Sequence, residues 1–112
     1  MASDETQRPQ RYAIQINLTG RRCLVVGGGR VATRKVQSLV AAGAVVHVVA
    51  PSLTAQLTDL VTSGRIEHRT HEYRPSDLDG CTLAVAATND TALNRLIADD
   101  ATAASILVNV VD

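Results

Sequence analysis

Eight consecutive residues, Val25-Val26-Gly27-Gly28-Gly29-Arg30-Val31-Ala32, carry the densest chemical information in the chain. Taken as G-x-G-x-x-A, the fixed positions are Gly27, Gly29 and Ala32, with Gly28, Arg30 and Val31 between them. Each fixed position has a physical task. Gly27 permits a tight turn from strand into helix. Gly29 lacks a side chain, so a pyrophosphate can approach the backbone. Ala32 is small enough to let the helix press on the sheet. The first amides of the helix then face the phosphates, and the helix dipole favours their charge. An ordinary glycine turn has the same composition, so the flanking elements must decide between the two readings.

Those elements agree with a dinucleotide site. Arg22 to Val26 is a short apolar run and reads as a buried strand. Val31 to Ala42 has helical spacing, with Val31, Lys35, Leu39 and Ala42 along one side, Val36 and Val40 beside it, and Gly43 as its stop. Val45 to Val49 is a second apolar strand, ended by Pro51. Ser52 can cap a helix in which Leu53, Leu57, Leu60 and Val61 recur, with Gly64 at its end. Arg65 to Arg69 reads as a third strand nearer an edge, and Tyr73 to Gly80 is turn-rich. Leu83 to Ala87, Thr91 to Ala103 and Ile106 to Val111 follow as strand, helix and strand. Upstream, Tyr12 to Leu18 alternates Ile14, Ile16 and Leu18 with polar residues and predicts a short edge strand. Alternating strands and helices predict a three-layer α/β domain, a doubly wound parallel sheet of Rossmann type, with its ligand site beyond the carboxyl ends of the strands.

Composition fits that plan. A chain of 112 residues suits one domain, occupying residues 12–112 behind a polar, mobile tail at 1–11. Phe and Trp are absent, so Val, Leu, Ile and Ala must build the core. Eleven basic and eleven acidic residues cancel, unlike the balance of a nucleic-acid binder. Arg8, Arg11, Arg21, Arg22, Arg30, Arg34 and Lys35 crowd the first third, where they either attract an anion or form a solvated face. Cys23 and Cys81 lie far apart and read as free thiols in a reducing compartment. The sequence has no apolar stretch of membrane-spanning length and no secretory signal, which leaves a cytoplasmic protein as the expectation.

One part of the dinucleotide fingerprint is missing. The tip of the second strand should offer Asp or Glu to a ribose hydroxyl, but the residues there are Val49-Ala50-Pro51-Ser52. No Arg or Lys follows to receive the 2′-phosphate of NADP. Ser52 can hydrogen-bond the ribose or cap the next helix, and both readings stand.

The chain resembles the NAD-binding domain of the sirohaem synthase and precorrin-2 dehydrogenase family, some members of which also insert ferrous iron. The resemblance rests on Asn17-Leu18 with Gly20-Arg21, Cys23 to Gly29, Val31-Ala32, Arg34-Lys35 and Ala42-Gly43-Ala44. It continues through Val48 to Pro51, Ala86-Ala87-Thr88, Asn94 and Asn109-Val110-Val111-Asp112, so it spans Tyr12 to Asp112. It implies that NAD lies over Gly27 to Ala32, with contacts at Arg30-Val31, Pro51-Ser52 and Thr88. It also implies a reduced tetrapyrrole, precorrin-2, as the partner that gives up a hydride to yield sirohydrochlorin. The family characteristically lacks the acid after the second strand. Asp112 matches its active-site aspartate and is implied to take the departing proton; by spacing alone it is a solvated chain end.

Family members continue past this aspartate into a dimerisation region and a helical region. The sequence stops at Asp112, so the resemblance implies an excised fragment or a reduced module. For the full-length protein it implies a homodimer and leaves ferrous iron as a further substrate. The reading from another class is a non-catalytic module that senses NAD and regulates a partner.

The remaining polar residues are less informative. His47, His68 and His71 show no metal-ligand pattern, and no metal site is expected. Arg30, Arg34 and Lys35 can assist phosphates or stay solvated. Asp90, in Thr88-Asn89-Asp90, can face the crevice, cap the following helix, or do both.

Overall fold

A computed structural model describes residues 9–111. Of the tail expected at 1–11, only residues 9–11 are therefore described, and they are exposed and without regular structure. Five strands and three helices follow one another as the periodicity requires: β1 (Arg22–Val26), α1 (Arg30–Ala41), β2 (Val45–Val49), α2 (Ala55–Thr62), β3 (Ile66–Arg69), β4 (Leu83–Ala86), α3 (Thr91–Ala103) and β5 (Leu107–Val110). A short 3-10 turn at Pro75–Leu78 replaces a helix between β3 and β4. All strand pairs are parallel, in the order β3-β2-β1-β4-β5. The order reverses at β1, which puts the topological switch point at its carboxyl end.

The side-chain period of two divides the core into two layers. Cys23, Val25, Val46, Val48 and Val85 face α1 and α2, and pack against Ala32, Val36, Leu39 and Leu57. Leu24, Val26, Val49, Ala84 and Ala86 face the other way, against Ile97 and Ala101 of α3 and Leu78 of the 3-10 turn. With helices on both faces, central strands must be apolar throughout, and Cys23, Leu24, Val25 and Val26 are all buried.

Several expectations need correction. Tyr12 to Leu18 forms no strand. Tyr12, Ile14 and Ile16 are exposed, and only Leu18 enters the core. Alternation specifies a two-faced segment but not a sheet partner, and the hydrogen bonds of β3 and β5 run to β2 and β4 alone. The buried stripe of α1 is Ala32, Thr33, Val36 and Leu39; of the expected face Val36 and Leu39 are buried, whereas Val31, Lys35 and Val40 are half-buried and Ala42 is exposed. Helix rotation is set by the small residue that permits closest approach, here Ala32. Thr54, not Ser52, caps α2: its side chain accepts from the Leu57 amide, and Leu53 lies outside the helix. Other boundaries differ by about one residue, as frayed ends do.

His47 is a buried polar residue in a central strand, pointing toward the α3 side. It pairs in register with Glu67 of β3, and its Nδ1 lies 3.0 Å from Glu67 Oε1 without the alignment of a hydrogen bond. Burial pushes its pKa below the usual 6.5; Arg22 and Arg69 act in the same direction and Glu67 opposes them. The unfolded chain therefore takes up a proton that the folded chain resists. Stability should fall as the pH drops below 6.5. Urea melts at about pH 7.5 and about pH 5 should show a smaller loss in His47→Gln than in the native chain. An equal loss in both would remove His47 from the acid response.

Candidate functional site

The loops at the carboxyl ends of β1, β2, β3 and β4 enclose a crevice of about 1060 Å³. Its floor is Val26 to Val31, one wall is Val49 to Thr54 with His71 to Tyr73, and the other is Ala87 to Asp90 with Leu93 and Val111. The candidates Gly27, Gly28, Gly29, Arg30, Val31, Pro51, Ser52 and Thr88 all line this one space. Ala32 lies behind it, fully buried against the sheet. Asp112 lies outside the described residues; Val111 before it lines the crevice and donates its amide to the Ala86 carbonyl at 2.9 Å.

The glycines are distinguished by what surrounds them. Gly27 has φ +128°, and a Cβ there would meet the Ala87 carbonyl oxygen at 2.3 Å. At Gly28 a Cβ would meet the Ser52 carbonyl oxygen at 1.9 Å, because the loops after β1 and β2 press together there. Gly28 fills a position the sequence pattern leaves free, and its carbonyl accepts from the Thr54 amide at 3.1 Å. Gly29 has no atom within 4 Å of its Cβ position, which opens onto solvent space.

Gly29 is also the N-cap of α1, and no side chain caps this helix. The first intrahelical bond runs from the Thr33 amide to the Gly29 carbonyl at 2.9 Å. The amides of Arg30, Val31 and Ala32 thus have no acceptor within the helix. Uncapped amides at the positive end of a twelve-residue helix can hold a diphosphate, and Arg30 beside them is exposed and can add a charge. A backbone that would bar any Cβ at Gly27 and Gly28 while leaving Gly29 open fits that group.

Side-chain hydrogen bonds fix both walls, and the sequence does not announce them. Thr33 Oγ1 donates to the Gly29 carbonyl at 2.7 Å and accepts from Thr54 Oγ1 at 2.7 Å, and Thr54 in turn accepts from the Leu57 amide. That chain ties the glycine loop to the cap of α2. On the opposite wall Asn94 is buried; its Oδ1 accepts from the Thr88 amide and its Nδ2 donates to the Thr88 carbonyl. Asp90 caps α3 by accepting from the Leu93 amide at 3.1 Å, one of the two roles its position allows. The residues His71 to Tyr73 were not anticipated. They reach the crevice because β3 neighbours β2, a fact of topology. A separate hollow of about 480 Å³ lies beside the amino ends of β4 and β5.

Residues 14–112 match the family described as "Putative NAD(P)-binding". The chain belongs to this family. Among curated relatives of this NAD(P)-binding chain, "Siroheme synthase" of Chromobacterium violaceum is 54% identical over 101 residues, covering 90% of the chain and 22% of that protein. "Siroheme synthase" of Stutzerimonas stutzeri is 50% identical over 96 residues, covering 86% and 21%. The chain thus spans about a fifth of the length of these relatives. The solved structure of SirC, precorrin-2 dehydrogenase, superposes with a TM-score of 0.76 at 33% identity, covering 88% of this chain and 48% of that one. The apo-structure of D-lactate dehydrogenase from Escherichia coli gives 0.63 at 14% identity over 85% and 29%, which shows the shared fold alone.

The two neighbouring glycines should separate fold from binding. Gly28→Ala forces the β1 and β2 loops apart and should cost about 1–3 kcal/mol in a urea melt. Gly29→Val should stay folded, at a cost of about 1 kcal/mol at the N-cap, yet lose NAD in titration calorimetry, because its side chain would occupy the diphosphate's space. Unchanged affinity in Gly29→Val would contradict the proposed cradle.

Proposed function

We propose that the chain is the NAD-binding module of a precorrin-2 dehydrogenase, acting in sirohaem formation. The single observation that carries this reading is the uncapped start of α1, where Gly29, Arg30 and Val31 line a crevice, in a chain so similar to siroheme synthases. NAD, held there, supplies a hydride acceptor.

The chain's own residues do the rest. The amides of Arg30, Val31 and Ala32 and the Arg30 guanidinium bind the diphosphate. Gly27, Gly28 and the Thr33-Thr54 pair hold that backbone in place. Thr88, locked by Asn94, forms the wall at the mouth of β4, on the side where β5 ends. Conversion of precorrin-2 to sirohydrochlorin removes one hydride and one proton. A dinucleotide held in the crevice would supply the acceptor for the hydride, and Asp112, next in sequence after the crevice-lining Val111, would take the proton.

The wider expectations belong to the same reading. A reducing, cytoplasmic setting is supported by free thiols at Cys23 and Cys81, both of whose pKa values burial raises. Among the described residues no helix is long and apolar enough to cross a membrane, and no cluster of three or more His, Cys, Asp or Glu could hold a metal. For a longer protein carrying this module, the reading includes a homodimer and, in iron-inserting members, ferrous iron as substrate.

The test grafts this chain in place of the matching segment of the Chromobacterium violaceum protein. With precorrin-2 and NAD the chimera should generate NADH absorbance. Asp112→Ala should cut turnover about 100-fold or more while sparing NAD affinity. Tight NAD binding with no NADH formed would favour a sensing module, and an active Asp112→Ala would exclude that residue from proton transfer.

A further inference from the structure

The β2 tip lacks the carboxylate that dinucleotide folds aim at the adenosine ribose, having Pro51 and Ser52 instead. The structure brings another segment to the same place. β2 and β3 pair from Val46↔Ile66 to Val49↔Arg69, and the Ala50 amide donates to the Arg69 carbonyl at 3.1 Å. The chain leaving β3 therefore runs beside the chain leaving β2, and His71, Glu72 and Tyr73 line the crevice together with Pro51 and Ser52.

Two of these three side chains are tied inward. His71 Nδ1 donates to the Glu72 carbonyl at 2.7 Å, and its Nε2 lies 3.5 Å from Asp77 Oδ1. The Tyr73 hydroxyl donates to Asp100 at 2.8 Å. Asp77, itself buried, also accepts from Arg69 at 3.1 Å and from the Arg74 amide at 2.9 Å. The segment is thus held at the end of β3, at Asp77 and at α3. Glu72 alone of the three is exposed, and among the described residues no hydrogen bond or ion pair holds its carboxylate. The other described carboxylate on the crevice, Asp90, stands at the mouth of β4 and is used in capping α3.

We propose that Glu72, delivered from β3 rather than β2, is the carboxylate that accepts from the 2′-hydroxyl of the adenosine ribose and selects NAD over NADP. This rests on the reading of the crevice as a dinucleotide site. Asp77 and His71 are positioning residues that fix the backbone of Glu72. A charged acceptor on a rigid loop strengthens binding of the hydroxyl, and it repels a 2′-phosphate in the same place.

The test is a ligand-side cycle on this chain by titration calorimetry, using NAD, NAD lacking the adenosine 2′-hydroxyl, and NADP. The native chain should bind the deoxy analogue about tenfold more weakly than NAD, as loss of one charge-assisted hydrogen bond requires. Glu72→Ala should bind NAD about tenfold more weakly than the native chain and treat NAD and the deoxy analogue alike. Glu72→Gln should gain affinity for NADP relative to NAD. Matched thermal melts would confirm that both variants fold. Retained NAD affinity in Glu72→Ala, or an undiminished penalty for the missing hydroxyl, would overturn the proposal. If the native chain binds NAD and Gly29→Val does not, a flat cycle at Glu72 rejects this assignment alone. If the native chain binds no NAD, the reading of the crevice falls with it.

Discussion

A helix that begins without a cap leaves polar amides in need of an acceptor. In α1 that need falls at the switch point of a parallel sheet, where the chain must also turn sharply out of β1. Both demands are met by leaving side chains out. Gly27 adopts a backbone conformation that other residues rarely take, and Gly28 lies against the Ser52 carbonyl. The space above Gly29 is left open, and Arg30 and Val31 beyond it line a crevice large enough for a nucleotide. Ala32 carries the constraint into the core, because only a small residue lets α1 descend onto β1 and β2.

The crevice keeps its shape through hydrogen bonds that lie outside the regular elements. A relay from the Leu57 amide through Thr54 and Thr33 to the Gly29 carbonyl joins the loops after β1 and β2. Asn94 closes the loop after β4 from behind with bonds to both backbone groups of Thr88. Asp77 gathers the end of β3, His71 and the 3-10 turn around one buried carboxylate. Each device satisfies buried polar groups, so the walls of the crevice are held by bonds that lie behind them.

Much of this architecture could be read from the residues. The apolar runs at Arg22 to Val26 and Val45 to Val49 gave their strands to the residue, and Thr91 to Ala103 gave its helix. Glycine spacing placed the crevice floor, since strand, turn and helix are contiguous in sequence. Local signals failed where the deciding partner is distant. Ile14, Ile16 and Leu18 alternate like a strand, but pairing is a property of two segments. By type Ser52 is the better cap, but it is Thr54, hydrogen-bonded to the distant Thr33, that accepts from the Leu57 amide. His71, Glu72 and Tyr73 sit in an unremarkable loop until the strand order brings them beside Pro51.

The central claim is that backbone amides at the start of α1 hold a diphosphate. Amide chemical shifts of the isotopically labelled chain, followed during addition of NAD, test it most directly. The account predicts the largest perturbations at Gly29, Arg30, Val31 and Ala32, shifted in the sense of a new hydrogen-bond acceptor. Saturating NAD that moves resonances elsewhere and leaves those four amides unperturbed would contradict it.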